Sequence, residues 1–314
     1  DDIVNVDRAM EWGFAWEMGP FRTWDAIGVA ESVARMEAEG RVVPSWVKSM
    51  LASGRTHFYQ RNDSGTLTQA TLSGDTASVP TDPKSLILQD IRLDRGEVAR
   101  NTSASLVDLG DGALCLEFHS KVNALDELIF EQYEKGLDLL DDGQFKTLIV
   151  GNQDGKAFCA GANILMILMG AMQKEWGQIE GSIKRLQDLL MRAKYSSAPI
   201  ITAPYALTLG GGCEVAMQSS ATVAGGELYM GLVEVGVGLI PGGGGCKEAM
   251  FRYLQDIPPT VDYDPIPFVA KAFENIAMAK VSTSVEEARD MAYLRRNDRV
   301  VINPQYYTDD GEGP

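Results

Sequence analysis

Histidine is almost absent from this chain: only His57 and His119 occur in 314 residues. A His-based metal site or a Ser-His-Asp relay therefore has little material to draw on, and no metal site is expected. Cysteine is scarce as well. Cys115, Cys159, Cys213 and Cys246 form no CxxC pair and lie in apolar or glycine-rich surroundings. A disulfide scaffold is not expected in a chain of this size, and a reducing cytoplasm is the expected compartment. Positive charge is in deficit, with 28 Lys and Arg against 44 Asp and Glu and a formal net charge of −16. That imbalance argues against nucleic acid or an anionic membrane as a general partner. Long apolar runs are missing too. The most hydrophobic stretch, Ala162 to Met172, is too short to span a bilayer, and no basic-then-apolar leader opens the chain. The first residue is not Met and falls within a segment that reads as helix, as in a piece of a longer polypeptide.

What is present is ordinary globular composition, 45% hydrophobic and 23% charged, in a chain long enough for one large domain and one smaller. Residues 1–60 read as helical. Val6, Met10, Phe14 and Met18 recur at near-helical spacing until Gly19-Pro20. A second helix is predicted from Thr23 to about Gly40, and a third from Pro44 to Gly54. Residues 61–102 read as a linker with short extended segments, because Thr71 to Lys84 is rich in Ser, Thr, Asp and Pro. From residue 103 to 304 the pattern changes to strands alternating with helices. A hairpin is predicted over Leu106 to Phe118 around Gly110-Asp111-Gly112, then a helix from Asp126 to Leu140 and a strand from Thr147 to Val150. A helix carrying Ile179, Ile183, Leu186, Leu189, Leu190 and Ala193 on one face follows, then a strand at Pro199 to Ala203. This order predicts a layered α/β core. Residues 305–314 read as a polar, disordered tail.

Three stretches stand out: Lys156-Ala157-Phe158-Cys159-Ala160-Gly161-Ala162-Asn163, Leu209-Gly210-Gly211-Gly212-Cys213-Glu214, and Gly231-Leu232-Val233-Glu234 running on to Ile240-Pro241-Gly242-Gly243-Gly244-Gly245. They do not make a nucleotide loop. Lys247 follows Cys246 rather than Gly, and Pro241 occupies the last glycine position of a GxGxxG beginning at Gly236. The glycines instead suit close approach of backbone to a ligand. Gly211 precedes a predicted helix at 212–220, so its N–H would sit near a helix N-terminus that favours an anion. Gly161-Ala162 would supply a second N–H, and two convergent donors make an oxyanion hole. A lone Glu on a helix is usually solvated. Glu214, beside Cys213 and Val215-Ala216-Met217, and Glu234, between Val233 and Val235, both lie in apolar settings. Met166, Met169 and Met172 read as core or as the wall of a chain-binding cleft.

The three stretches, in this order, resemble the crotonase (enoyl-coenzyme A hydratase/isomerase) superfamily over roughly residues 103–300. The resemblance implies a layered ββα-repeat core and the N–H groups of Ala162 and Gly211 as the oxyanion pair. It implies Glu214 and Glu234 as catalytic carboxyl groups, Glu214 activating a water and Glu234 exchanging the proton at Cα. Ala160, Gly161, Gly210, Gly212 and Gly242 are then expected to contact the substrate, with Lys121 near the coenzyme A phosphates and Lys156 and Arg92 as further candidates. The implied partner is an acyl-coenzyme A thioester, with a homo-oligomer or a β-oxidation subunit as the protein partners it allows. Residues 1–60 have their own resemblance. Val6-Asp7-Arg8-Ala9-Met10-Glu11-Trp12-Gly13-Phe14, Gly19-Pro20-Phe21 and Trp24-Asp25 are similar to the C-terminal helical domain of 3-hydroxyacyl-coenzyme A dehydrogenases. The Rossmann segment and catalytic His of that family have no counterpart in the sequence, so no NAD site and no cofactor are expected here. Together the two resemblances imply part of a fused β-oxidation protein, dehydrogenase first. A double-bond isomerase and a catalytically silent docking or dimerisation module are the rival expectations. Asn163 where Asp is usual, Tyr205-Ala206 for Asn-Gly and Cys246-Lys247 for Thr-Gln depart from the crotonase pattern.

Overall fold

The computed structural model describes residues 2–14, 16–62, 65–81, 85–153, 156–255, 257–258 and 260–302. The tail expected to be disordered, 305–314, lies outside them. The chain divides into two compact units, Asp1–Pro83 and Lys84–Pro314.

Among the described residues the first unit holds four helices, α1 (Ile3–Phe14), α2 (Pro20–Ile27), α3 (Val29–Ala38) and α4 (Ser45–Ala52). An antiparallel meander follows, β1 (Tyr59–Arg61), β2 (Leu67–Ala70) and β3 (Thr76–Ser78). The helix predicted from Thr23 to Gly40 is two helices, because Gly28 between them takes φ 100°, a conformation that breaks the ladder. The apolar stripe read from spacing is not the buried face of α1. Val6 and Phe14 are 43% and 71% exposed, whereas Ile3, Val4 and Asp7 are buried. Asp7 is inside because its carboxylate caps α2: it accepts from the N–H of Phe21 at 2.8 Å and Arg22 at 3.1 Å, and from the Tyr59 hydroxyl at 2.8 Å. Asp25 accepts from the N–H of Phe58 and Tyr59, which ties the helices to the meander. Phe21, Trp24 and Trp46 surround the buried Phe58 ring. The short extended segments expected within 61–102 are present as β2 and β3, and they pack into the first unit. Ala70 and Val79 belong to the core of the first unit, and residues from 88 onward belong to the second.

The second unit opens with α5 (Leu88–Arg95) and β4 (Ala99–Arg100), then the hairpin β5 (Ala104–Gly110) and β6 (Ala113–Phe118). After α6 (Glu127–Asp141) and β7 (Thr147–Gly151) come β8 (Ala157–Cys159) and the pair α7 (Ile164–Gln173) and α8 (Trp176–Lys194). Strands β9 (Ile200–Thr202) and β10 (Ala206–Leu209) lead into α9 (Gly211–Met217), followed by β11 (Ala221–Gly225) and β12 (Leu228–Gly231). Helices α10 (Gly245–Leu254), α11 (Ile266–Ala277) and α12 (Val285–Asp290) and strand β13 (Arg299–Val301) complete it. A seven-stranded sheet runs β13-β11-β9-β7-β6-β5-β4, parallel from β6 to β13. A second, parallel sheet runs β12-β10-β8. This is the layered core expected from the alternation of strand and helix. Asp126 caps α6 by accepting the Ile129 N–H at 2.9 Å. The buried face of α6 (Ile129, Tyr133, Leu137) and that of α8 (Leu186, Leu190) join Leu116, Leu148 and Ile200 of the large sheet in one cluster. The small sheet matters most for function: its strands end where α9 and the two glycine loops begin.

Candidate active site

Strand β8 ends at Cys159 and the chain turns through Gly161, whose φ of 107° favours glycine. A Cβ at Gly161 would also stand 3.2 Å from the Leu209 carbonyl oxygen and 3.8 Å from the Gly211 nitrogen. The two loops after β8 and β10 are therefore in contact. Gly211 opens α9, and a Cβ there would lie 2.9 Å from Leu125 Cδ1 and 3.5 Å from the Ala162 nitrogen. The Ala162 and Gly211 amides are brought together. Among the described residues neither N–H donates a hydrogen bond, while the flanking Ala160, Asn163 and Gly210 N–H groups all do, to Val122, Leu125 and Gly231 carbonyls. Two adjacent unpaired amides, one on the first turn of a helix, form a site for a developing negative charge.

All of α9 is buried, Glu214 included, at 2% exposure. Its carboxylate Oε1 accepts from the Gly245 N–H at 2.7 Å. Gly243 faces it so closely that a Cβ there would stand 2.6 Å from Oε2. This explains why glycines follow Pro241. Burial pushes the Glu214 pKa up to about 7; the Gly245 N–H opposes the rise and the Glu234 charge adds to it. Glu234 begins a short 3-10 turn, Glu234–Val237, and its Oε1 would lie 3.2 Å from a Cβ at Gly210. Its Oε2 is buried with no partner among the described residues, and burial raises its pKa too. Both acids thus flank the glycine loops, close enough for one to feel the charge of the other.

Beside the amide pair opens a cleft of about 310 Å³ between α7, α8 and the start of α6. Phe130, Met166, Met169, Ile179, Ile183 and Leu186 give it a mainly apolar wall, with Leu125 and Ala162 in its lining. Leu186 also reaches Gly243, since a Cβ there would meet Leu186 Cδ2 at 3.1 Å, so the cleft borders Glu214. Helix α7 is apolar yet open: Met166, Met169 and Met172 are 47%, 50% and 76% exposed, so they are not core.

Other expected contacts fall differently. A Cβ at Gly212 would stand 2.6 Å from both Cβ and O of Cys159, so this glycine serves packing of α9 on β8 rather than a ligand. The N–H groups of Ala160 and Gly210 are spent on protein carbonyls. Gly242 lies against α8, its carbonyl accepting from Gln187 Nε2 at 2.6 Å. Lys121 is exposed on a turn. Arg92 pairs with Glu117, so it is not a free cation for a phosphate. Leu125, which touches Gly211, was missed in the sequence; a single Leu after a turn carries no signal of its own. The same holds for Arg185, which bridges α8 to Glu127 and Glu134 on α6 behind the cleft.

Residues 112–250 match a family model described as enoyl-CoA hydratase/isomerase. The second unit carries a crotonase-family domain. The chain is similar along 98% of its length to a probable 3-hydroxyacyl-CoA dehydrogenase of Bacillus subtilis, at 43% identity. It is 29% identical, over 82% of its length, to a putative fatty acid oxidation complex trifunctional enzyme of Rickettsia felis. It spans only 38% and 32% of those two proteins. Among solved structures, an enoyl-CoA hydratase from Bacillus anthracis aligns with a TM-score of 0.52 at 21% identity, over 64% of this chain and 70% of that one. An enoyl-CoA hydratase from Polaromonas aligns at 0.53 and 18%, over 66% and 74%. At such identities the likeness concerns the crotonase fold alone. Among the described residues, no helix is long and apolar enough to cross a membrane.

Proposed function

We propose that the crotonase-family domain adds water across the 2,3 double bond of an enoyl-coenzyme A thioester. The observation that carries this is the pair of buried carboxyl groups, Glu214 and Glu234, beside two adjacent unpaired amides at an apolar cleft. In the reaction, water oxygen bonds to Cβ as one carboxylate takes its proton. The electron pair of the double bond moves onto the thioester oxygen, where the Ala162 and Gly211 N–H groups stabilise the charge, each donor supplying roughly 3 kcal/mol. The other carboxyl then hands a proton to Cα. One acid and one base are needed at once, which suits a pair that cannot both ionise cheaply. Burial and the neighbouring charge favour the protonated form of Glu214 in the free site, which suits it to the acid's part rather than to the water-activating part that the resemblance implies. The acyl chain lies along Met166, Met169 and Ile179. No cofactor beyond the coenzyme A of the substrate enters this chemistry.

The same reading makes the chain part of a fused protein. Its product, a 3-hydroxyacyl thioester, is what the activity named for the Bacillus subtilis relative would oxidise. Hydration of crotonyl-coenzyme A, followed by loss of enoyl absorbance, tests the proposal. Wild-type protein turns the substrate over and the Glu214→Ala, Glu234→Ala double variant does not. Equal rates in the two would rule out the assigned pair. Conversion of a 3-enoyl substrate with a 2-enoyl substrate left inert would replace hydration by isomerisation. No affinity for acetoacetyl-coenzyme A in calorimetry would leave a docking module.

A further inference from the structure

The Ala162 amide sits on no regular element, so something else must aim it. The neighbouring segment, residues 120–125, does so. Leu125 N–H donates to the Gly161 carbonyl at 2.8 Å and Leu125 O accepts from Asn163 N–H at 3.0 Å, a parallel bridge between Leu125 and Ala162. In such a bridge the middle residue of the partner segment turns its own N–H to the opposite side. The strap thus takes the hydrogen bonds on either side of Ala162 and leaves that one amide facing away. A third bond, Ala160 N–H to Val122 O at 3.2 Å, fixes the start of the loop. The Leu125 side chain meanwhile reaches the other loop at Gly211. One short segment gauges both amides.

This strap is under strain. Val122 and Asn123 take φ of 51° and 54° in succession, and for a β-branched residue that is a rare conformation. Such strain persists where the surroundings over-determine it. Here Asn123, fully buried, donates from Nδ2 to the Ala157 carbonyl on β8 at 2.8 Å. The Ser120 hydroxyl closes the turn by donating to Ala124 O at 2.8 Å. We infer that Asn123 is the positioning residue of the oxyanion site, latching the strained Ser120–Leu125 strap to β8 so that the strap sets the direction of the Ala162 amide and its spacing from Gly211. Its reach to β8 is what links the strap to the strand from which the oxyanion loop departs. The inference rests on the proposed thioester chemistry and adds to it a residue that touches no substrate.

The test uses the full chain with Asn123→Gly, which accepts a left-handed φ without strain and removes the side chain that makes the latch. Two readouts are taken. In crotonyl-coenzyme A hydration, kcat falls about 10- to 100-fold while KM moves less than about 3-fold, because transition-state contacts are lost and ground-state ones are not. With a dimethylaminocinnamoyl thioester of coenzyme A, whose band moves to longer wavelength when its carbonyl is polarised, the shift per bound molecule is smaller than in wild type. A residue that only supports folding would lower the bound amount and leave the shift intact. A full wild-type shift with wild-type kcat overturns the inference and leaves the site reading standing. Absence of both turnover and shift in the wild-type protein overturns the site reading, and this inference with it. Should Asn123→Gly fail to fold, Ser120→Ala loosens the same turn from its outer side. A reduced shift there supports the strap, and an unchanged shift rejects it.

Discussion

The two ends of the acid pair are built in opposite ways. Glu214 stands on a fully buried helix, with the Gly245 N–H on one oxygen and glycines 243–245 wrapped around it. Glu234 begins a 3-10 turn that includes exposed Val235 and Val237, and one of its oxygens is buried with no partner among the described residues. Burial raises both pKa values, yet only Glu214 has an amide hydrogen bond from another loop to counter it. The contrast teaches that equal chemistry does not require equal surroundings. One carboxyl is held in place and perturbed, while the other is left with a lone pair to spend on substrate or water.

The largest effects break this comparison directly. Glu214→Gln and Glu234→Gln each lower kcat for enoyl hydration by about 10³-fold, in the range of a lost acid or base. Their pH profiles then separate the roles. In the wild type the group that must be protonated gives a falling limb at high pH, and for Glu214 that limb lies near 7. The variant that abolishes this limb identifies the acid. Stability moves too, with a sign that follows from linkage. A raised carboxyl pKa stabilises the fold below its unfolded value and is lost as pH rises through the folded value. Between the ordinary 4.5 and about 7 the wild type therefore loses up to about 3 kcal/mol at this one group, a slope that urea titrations of Glu214→Gln should lack. A variant with the wild-type pH slope would contradict the burial of an ionisable Glu214.

Next in size come the adjacent glycines, which compare ligand approach with packing. Gly211→Ala puts a methyl 3.5 Å from the Ala162 nitrogen, in the space a thioester oxygen needs, and 2.9 Å from the end of the Leu125 side chain rather than from backbone. It should lower kcat about 100-fold with little change in melting temperature. Gly212→Ala instead drives a methyl onto the Cys159 backbone and should cost roughly 1–3 kcal/mol of stability, with smaller change in kcat of the folded fraction. Thermal melts and steady-state kinetics on the same samples check both; swapped phenotypes would reverse the assignment of the two glycines.

How much of this was legible follows from what each residue needs. The hairpin, the helix after Asp126 and the buried strands of the second unit show in spacing because local periodicity determines them. Glu214 and the glycines around it show because a charged residue in apolar company and a run of missing side chains are both unusual. The strap does not show. Val122 and Asn123 are ordinary letters whose conformation is imposed by contacts to β8 and the oxyanion loop, more than 30 residues on. In the first unit, the Val6–Phe14 stripe misleads because Asp7, a charged residue, takes an interior place by capping α2. The short extended segments expected within 61–102 occur as β2 and β3, but their packing into the first unit does not show, because short polar strands become core only when helices cover them.

The smallest effect sharpens the contrast between the site's rigid side and its open one. Arg185 on α8 reaches back to Glu127 and Glu134 on α6, holding the apolar cleft's two walls together. The three side chains are each about a third exposed, so the network is partly screened and is worth only about 0.5–1 kcal/mol. Arg185→Met keeps an aliphatic stem but removes the fork, together with the guanidinium that stands 6.0 Å from the Phe130 ring centroid. On the proposed reading the cleft holds the acyl chain, and Arg185 pairs with the α6 carboxylates rather than with Glu214 or Glu234, so loosening this wall should appear in KM for longer thioesters, by about 2- to 5-fold, with kcat for crotonyl-coenzyme A little changed. A loss of kcat with unaltered KM would place Arg185 with the acids instead, and the division between a rigid reacting end and an adjustable chain-binding end would fail.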